Sequence, residues 1–312
     1  MQAVVIDDGE LVYEDRPDPT PGETELLVSV RAAGVNGGDL MQRRGLYPPP
    51  PGAPDTPGME VAGEVVAVGS RVTRFSPGDR VMAVVGGGGQ ATLCVVEETH
   101  ALCVAERLSW AEAGGFPEVF STAYDALFTQ AALSIGDRVL VSGAAGGVGT
   151  AGVQLAAAAG AWVVASVRDP GCRDGVAALG ADEVIDPAAV ADHGPYDVVL
   201  ELVGAASFPD AFGALATGGR MTVIGVGTGA KVELNLLQLM GARATMSGST
   251  LRARRREEKA AVAQSVAAHV LPLLTAGRVR VPLAATFAMA DADAAYARFA
   301  QGGKLGKVVL TA

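Results

Sequence analysis

Apolar residues recur along this chain in two rhythms, and the change from one to the other divides it. Up to about residue 118 they come as short alternating runs between turn residues, which predicts strands at 3–6, 26–30, 59–69 and 80–84. Pro17, Pro19, Pro21 and Gly22 mark the loop between the first two strands, and Ser-Pro-Gly-Asp at 76–79 makes a turn before the fourth. Short strands parted by such turns predict a small barrel. Residues 86–89, all glycine, are expected to form a flexible loop of the kind that can close as a lid. Residues 109–112 then look like an N-cap and first helical turn, and 121–133 carry helical spacing.

From residue 136 onward, apolar runs and helical segments alternate strictly, and the pattern is centred on residues 137–168. Residues 138–142 are short and β-branched enough for a strand buried on both faces. Gly143, Gly146, Gly147 and Gly149 follow, then an alanine-rich helix closed by Gly160, then a second buried strand at 162–167. The turn reads Ala144-x-Gly146-x-x-Gly149. Its glycines permit a tight turn and let the backbone N–H groups of Ala144, Ala145, Gly146, Gly147 and Val148 approach a pyrophosphate at the helix N-terminus. A glycine string alone is weak, but its place between strand and helix points to dinucleotide binding. Strands at 182–186, 197–202, 220–226 and 244–248 and helices at 174–179, 205–216 and 234–240 complete a doubly wound parallel α/β sheet of six strands. The tail reads as helix 257–276, strand 284–289, helix 291–300 and strand 307–311, and is expected to return to the first domain. The expected division is 1–119, 120–253 and 254–312, with the nucleotide domain as an insertion.

Length and composition narrow the classes. A chain of 312 residues suggests two domains, and 49% apolar residues supply a core of ordinary size. The net charge of −10 argues against nucleic-acid or anionic-membrane partners. Cys94, Cys103 and Cys172 are scattered and odd in number, which excludes a full disulfide framework and a CxxC zinc motif and fits a reducing cytoplasm. The start, MQAVVIDDGE, lacks the basic and apolar regions of a secretory signal, and no apolar run reaches membrane-spanning length. The expectation is a soluble cytoplasmic protein.

Several strings carry a family likeness. They are Ala32-Ala33-Gly34-Val35-Asn36 with Asp39, MQRRGLYPPPPG at 41–52, Pro57-Gly58-Met59-Glu60, Gly78-Asp79-Arg80-Val81, Gly88-Gly89-Gln90-Ala91 and Pro117-Glu118. Further on come Thr122-Ala123-Tyr124, the glycine turn, Gly180-Ala181, Gly248-Ser249-Thr250-Leu251-Arg252 and Gly306-Lys307-Val308-Val309-Leu310. The chain resembles the zinc-independent quinone oxidoreductases of the medium-chain dehydrogenase/reductase superfamily, and among them the p53-inducible type. The likeness is collinear over nearly the whole length. It implies a GroES-like β-barrel substrate domain, an inserted Rossmann domain, a cleft between them and a homodimer, often joined edge to edge through the nucleotide domains. The implied reaction is NADPH-dependent hydride transfer to a quinone or another electron-poor conjugated carbonyl. Zinc-dependent relatives place a cysteine and a histidine where this chain has Asn36 and Met59, neither a credible zinc ligand, and their cysteine-rich structural lobe is missing. His100, His193 and His269 lie in unrelated segments, so no metal is expected.

The resemblance places Asn36 and Tyr47 near the nicotinamide, with Thr122 below it. Asn36 would orient a carbonyl or carboxamide, and Tyr47 would offer a phenolic donor and a flat ring. The alternative for Tyr47 is a packing ring in a proline-rich loop, and Asp39 is equally a helix cap. NADP(H) is favoured over NAD because the end of the second nucleotide-domain strand, Ser166-Val167-Arg168, lacks the carboxylate that accepts from a ribose 2′-OH. Arg168, with Arg173 nearby, can meet a 2′-phosphate. Asp169 adds an opposing charge, Pro187 stands where relatives usually have a tyrosine, and Arg168 as a solvated loop residue remains the plain alternative. Gly225, Val226, Ser249, Thr250 and Leu251 complete the implied cofactor contacts, while the basic run 252–256 reads as a solvated helix end. No acid–base triad is expected, because a quinolate is stabilised by conjugation and solvent can protonate it. The alternatives are a zinc-independent enoyl or enone reductase using the same site, and a non-catalytic NADPH-binding protein.

Overall fold

Asp8 and Gly9 both take positive φ, 46° and 84°, the backbone that a two-residue hairpin loop needs and that Asp-Gly readily adopts. They join β1 (Gln2–Asp7) to β2 (Glu10–Asp15), which pair antiparallel along their whole length. Alternation finds β1 and passes over β2, whose charged outward positions hide a modest inner face. This is the first of several elements that the computed structural model, which describes residues 1–312, adds to the sequence pattern.

In chain order there follow β3 (Glu25–Val35), β4 (Glu60–Val68), β5 (Arg80–Val84), β6 (Leu93–Glu97) and β7 (Ala101–Cys103). Next are β8 (Arg138–Val141), β9 (Trp162–Ser166), β10 (Glu183–Ile185), β11 (Tyr196–Glu201), β12 (Leu215–Val223) and β13 (Thr245–Gly248). The last two are β14 (Leu283–Ala288) and β15 (Lys307–Thr311). The chain forms two compact units, one of Met1–Ser121, Leu251–Gly302 and Lys307–Ala312, the other of Thr122–Thr250 and Gly303–Gly306.

The first unit holds a seven-stranded sheet in the order β14-β15-β3-β4-β5-β7, with β6 on β3. The long strand β3 is its pivot. It pairs with β4, and also with β6 through 25–29 and with β15 through 32–35. Val28, Val30, Val61, Val65 and Leu310 form a core under the Ala292–Gln301 helix, whose Tyr296 is buried among them.

The second unit is a parallel sheet in the order β10-β9-β8-β11-β12-β13. Numbered within the unit this is 3-2-1-4-5-6, the doubly wound order that places a ligand at the carboxyl ends of the central strands. Val139, Leu140 and Val141 of β8 are wholly buried, as a strand covered on both faces requires. Toward the other end of the sheet, Glu183 accepts from Arg138 (2.8 Å) and Trp162 (3.0 Å) and meets His193 Nδ1 at 2.7 Å. These contacts tie β8, β9 and β10 together, and the His193 bond in particular pulls the Glu183 carboxyl down to about 2.

Some expectations need correction. The span 121–133 is an α-helix, Pro117–Tyr124, running into a π-turn, Asp125–Gln130. The helix expected at 257–276 is two, Arg256–His269 and Leu271–Thr275, because Pro272 has no N–H to continue the ladder. The helix at 205–216 shortens to Phe208–Gly213, and β12 starts at Leu215 instead of 220. Gly37–Arg43 is a helix that periodicity passed over. Residues 86–89 are not a mobile lid. Gly87 to Gly89 are buried, with Gly88 N donating to Thr56 O (2.7 Å) and Gly89 N to Gly58 O (3.1 Å). A Cβ at Gly87 would lie 2.5 Å from Pro54 O and one at Gly89 2.7 Å from Glu60 O, so glycine is there for close approach.

Gly149 does the same for the second unit, since a Cβ there would sit 2.5 Å from Gly143 O and 2.7 Å from Ala144 C. Gly149→Ala is expected to destabilise the protein by about 1–3 kcal/mol in urea unfolding. Gly241→Ala, in a helix position with nothing within 4 Å, is expected to be neutral or to gain up to about 1 kcal/mol. Equal effects at the two positions would contradict the packing role.

Candidate active site

In the first unit β3 ends at Val35, and Asn36 turns the chain into the Gly37–Arg43 helix with extended backbone, φ −127° and ψ 159°. Asp39 closes that turn. Its Oδ2 accepts from Asn36 N (2.8 Å) and its Oδ1 from Gly58 N (3.1 Å), so it caps the helix and pins the 57–60 segment beside it. The carboxyl is wholly buried, and burial pushes its pKa up to about 6 against the two backbone donors and the charges of Lys307 and Arg252.

The Asn36 side chain is committed at both ends. Nδ2 donates to Glu60 Oε1 (2.9 Å) and Gly34 O (3.3 Å), while Oδ1 accepts from Lys307 Nζ at 2.6 Å. Lys307 Nζ also donates to Glu60 Oε1 (2.6 Å) and Val35 O (3.2 Å), and Glu60 Oε2 accepts from Glu118 N (2.9 Å). Glu60 is 0% and Lys307 3% exposed, so this is a desolvated ion pair with its remaining bonds satisfied. Gly34 makes room for it: a Cβ there would fall 2.1 Å from Glu60 Oε1.

Tyr47 stands over Gly38, where a Cβ would meet Met59 Cε at 2.7 Å and the Tyr47 ring at 3.1 Å. Burial raises the phenol above its ordinary pKa, with Arg252 opposing, so Tyr47 is a hydrogen-bond donor throughout the neutral range. Arg252 is no solvated helix end. It is 3% exposed, with Nε donating to Gly86 O (2.8 Å), Nη1 to Tyr47 O (3.0 Å) and Nη2 to Gln42 Oε1 (2.6 Å). Its guanidinium also lies 5.2 Å from the Tyr47 ring centroid. Glu60, Lys307 and Arg252 are the residues that sequence reasoning did not assign to the site. The available signal was a lysine opening an otherwise apolar strand, Lys-Val-Val-Leu, whose first four positions are all buried.

In the second unit, Gly143 takes φ 61°, Ala144 N donates to Ser166 O (3.1 Å), and Gly306 N donates to Ala145 O (2.8 Å). Gly146 is the N-cap of the Gly147–Ala158 helix and brings no side-chain oxygen to its first N–H groups. A Cβ at Gly146 would meet only Gly143 O, at 3.4 Å, which leaves the space over the turn clear for an anion. The turn fits a pyrophosphate.

Ala145, Gly146, Gly147 and Val148 are half-buried around the turn, and Ser166 is 4% exposed at the end of β9. Arg168 is exposed, whereas Arg173 is held by Asp186 (2.7 Å) and by Val167 O (3.3 Å). Asp169 turns its carboxylate to Gly171 N (2.9 Å), capping its own short helix. Gly225 N donates to Glu201 O (3.2 Å) beside the 202–204 loop, and Val226 is 36% exposed. Thr122 is buried on the Pro117–Tyr124 helix, and Ser249 Oγ donates to Asp125 Oδ2 (2.7 Å). Thr250 is exposed. Asn36, Tyr47 and the buried Leu251 belong to the first unit. No group of three or more His, Cys, Asp or Glu side chains is placed to hold a metal ion. His100 Nε2 lies 3.0 Å from Arg256 O, a carbonyl that can only accept. No helix is long and apolar enough to cross a membrane.

Two family descriptions match the chain: an alcohol dehydrogenase GroES-like domain over residues 22–132 and a zinc-binding dehydrogenase over residues 147–267. A quinone oxidoreductase-like protein 2 homolog from Nematostella vectensis is 31% identical over 313 residues, covering 96% of this chain and 85% of the relative. A quinone oxidoreductase structure from Pseudomonas syringae superposes with a TM-score of 0.88 at 28% identity, covering 100% of this chain and 99% of the other. The structure of mycobacterial Rv1454c complexed with NADPH superposes at 0.89 with 26% identity, covering 100% of both chains.

Two outcomes are expected from the buried charges of the first unit. Lys307→Met leaves the Glu60 carboxylate without its cation and is expected to cost about 3–5 kcal/mol, with part regained in Lys307→Met/Glu60→Gln. Additive losses in that cycle would show the pair to be uncoupled. Asp39, with a pKa of about 6 in the folded protein against about 3.9 in an unfolded chain, favours folding below pH ~4 and loses that contribution as pH rises through 6. The stability difference between the wild type and Asp39→Asn is therefore expected to fall by about 2 kcal/mol from pH 4 to 7 in denaturant titrations. A difference independent of pH would refute the raised carboxyl.

Proposed function

The chain belongs to the medium-chain dehydrogenase/reductase superfamily as an enzyme of quinone oxidoreductase type, and from that premise we propose that it reduces quinones with NADPH, by hydride transfer and without a metal. The observation that carries the reading is the glycine turn of the parallel sheet, with Gly146 capping an open helix N-terminus and Gly149 packed where no side chain fits. Ala144, Ala145, Gly146, Gly147 and Val148 would hold the pyrophosphate through backbone N–H groups and the helix dipole. Arg168, exposed just beyond β9, would meet a 2′-phosphate, and Val167 stands where a carboxylate would favour a free ribose hydroxyl, while Asp169 is turned to Gly171 N. The NADPH bound to the mycobacterial neighbour supports the same choice. Arg173 is tied to Asp186 and would contribute through the turn it braces. Thr122, Gly225, Val226, Ser249, Thr250 and Leu251 would complete the cofactor contacts.

When bound, the nicotinamide supplies the hydride. The chain's own residues position and exclude. Asn36, fixed by Glu60 and Lys307, presents a rigid amide face, and the protonated Tyr47 phenol donates to an acceptor oxygen as negative charge develops there. Asn36 and Met59 at the positions where zinc relatives carry ligands support chemistry that needs no Lewis acid. A homodimer is supported by β13, whose outer edge is unpaired, next to Leu236, Leu237 and Met240, which are 64%, 77% and 69% exposed. Three free cysteines, two of them buried, suit a reducing cytoplasmic setting.

The test is oxidation of NADPH and of NADH by the purified protein with benzoquinone, phenanthrenequinone and crotonyl-CoA. NADPH-selective turnover of a quinone is expected, with Arg168→Ala raising KM for NADPH about tenfold and leaving NADH unaffected. Tyr47→Phe is expected to lower kcat/KM for the quinone by about tenfold. Turnover of the thioester alone would move the protein to the enoyl reductases, and cofactor binding without turnover of any acceptor would make it a non-catalytic binder.

A further inference from the structure

The first unit carries an open cleft of about 860 Å³ between the proline loop at 50–54, the glycine run at 86–88 and the segment 252–259. Arg252 joins this cleft to Tyr47, because it donates both to Gly86 O and to Tyr47 O. The cleft is within the range of about 300–1,000 Å³ typical of small-molecule sites and is larger than a bare quinone ring needs.

Its charge runs against that of the protein. The net charge of the chain is −10, yet the cleft is lined by Arg252, Arg254, Arg256 and Lys259 against only Glu25 and Glu97. Both carboxylates are already engaged: Glu97 accepts from Arg256 (2.5 Å) and Glu25 from Gly22 N (2.7 Å). Arg252 spends its donors on neutral oxygens. Lys259, half-buried at the start of the Arg256–His269 helix, faces no carboxylate, and burial and then the nearby Arg252 pull its pKa down. His100, the other titratable group on this wall, is bonded to Arg256 O and also shifted down by burial. A partly desolvated ammonium beside a guanidinium, with no counter-charge, is set to receive an anion.

We propose that this cleft selects electron acceptors that carry an anionic group, a carboxylate or a phosphate, and that Lys259 seats that group while the electron-poor conjugated carbonyl lies toward Tyr47. The proposal rests on the quinone-reductase reading for its reaction, but the anion seat stands on the cleft itself.

Two matched pairs test it on the full-length protein. A naphthoquinone bearing a propanoate side chain is compared with its propanamide analogue, and crotonyl-CoA with the crotonyl thioester of N-acetylcysteamine. The first pair reads a carboxylate, the second a phosphate source. For at least one pair, kcat/KM for the anion is expected to exceed that for the neutral partner about tenfold at low salt, and to converge with it as ionic strength rises. Lys259→Gln is expected to bring that ratio close to one, and Lys259→Arg to restore it. Calorimetric binding of the same four compounds gives a readout that needs no turnover. Charge-selective binding with no reduction would sustain the anion seat and overturn the quinone reading. Reduction of neutral and anionic acceptors alike, or a ratio untouched by Lys259→Gln, would overturn the seat and leave the quinone reading in place.

Discussion

One buried ammonium organises the first unit. Lys307 opens β15 buried at 3% exposure, and its three oxygen contacts must come from the fold: Glu60 at the start of β4, and Asn36 and Val35 at the end of β3. The removal of such a charge from water is repaid only where the geometry is close and every remaining lone pair finds a donor. That requirement explains neighbours that otherwise look unrelated. Gly34 has no side chain because the Glu60 carboxylate occupies its Cβ position, and the Pro117–Tyr124 helix starts where it can offer Glu118 N to the same carboxylate. Three strand ends are thus brought to one point by electrostatics, and the hydrophobic core on the other side of β3 fixes their spacing.

The chemistry proposed for the protein follows from that rigidity. Asn36 has little freedom to rotate, since both ends of its amide are bonded, and Asp39 holds the backbone on which it sits. Tyr47 has its ring over Gly38, and Arg252 both holds its carbonyl and lies 5.2 Å from its ring centroid. A site of this kind contributes alignment instead of proton relays, which suits a reaction whose product anion is stabilised by its own conjugation.

Much of the architecture was legible in the sequence because it rests on local rules. The glycine turn, the alternation of strands and helices after residue 136 and the strand at 307–311 all follow from short-range spacing. The failures have physical causes. β2 and β6 are short, and the first presents charges outward; the helix at 257–276 was drawn through Pro272; and residues 86–89 were read as mobile because glycine permits motion, when here it permits contact. The tight turn of the second unit could be located in advance because close backbone packing and positive φ leave a glycine signature. Lys307 and Arg252 could not, because each lies more than 200 residues from partners such as Asn36 and Gln42, and nothing in a linear pattern reports such a meeting.

The glycine run also bears on how this protein can change over evolutionary time. One wall of the acceptor cleft is built from residues 86–88, where an added methyl at Gly87 would strike Pro54 O and Gly88 holds φ 84°. A wall made of main chain has no side chains to exchange, so point substitution there leads to lost packing before it leads to altered preference. Divergence among descendants of this chain is therefore expected in the basic segment, at positions such as 254 and 256, which line the cleft without the burial of Arg252. The cleft is fixed on one side and adaptable on the other, and new acceptors would enter its repertoire by way of the adaptable side.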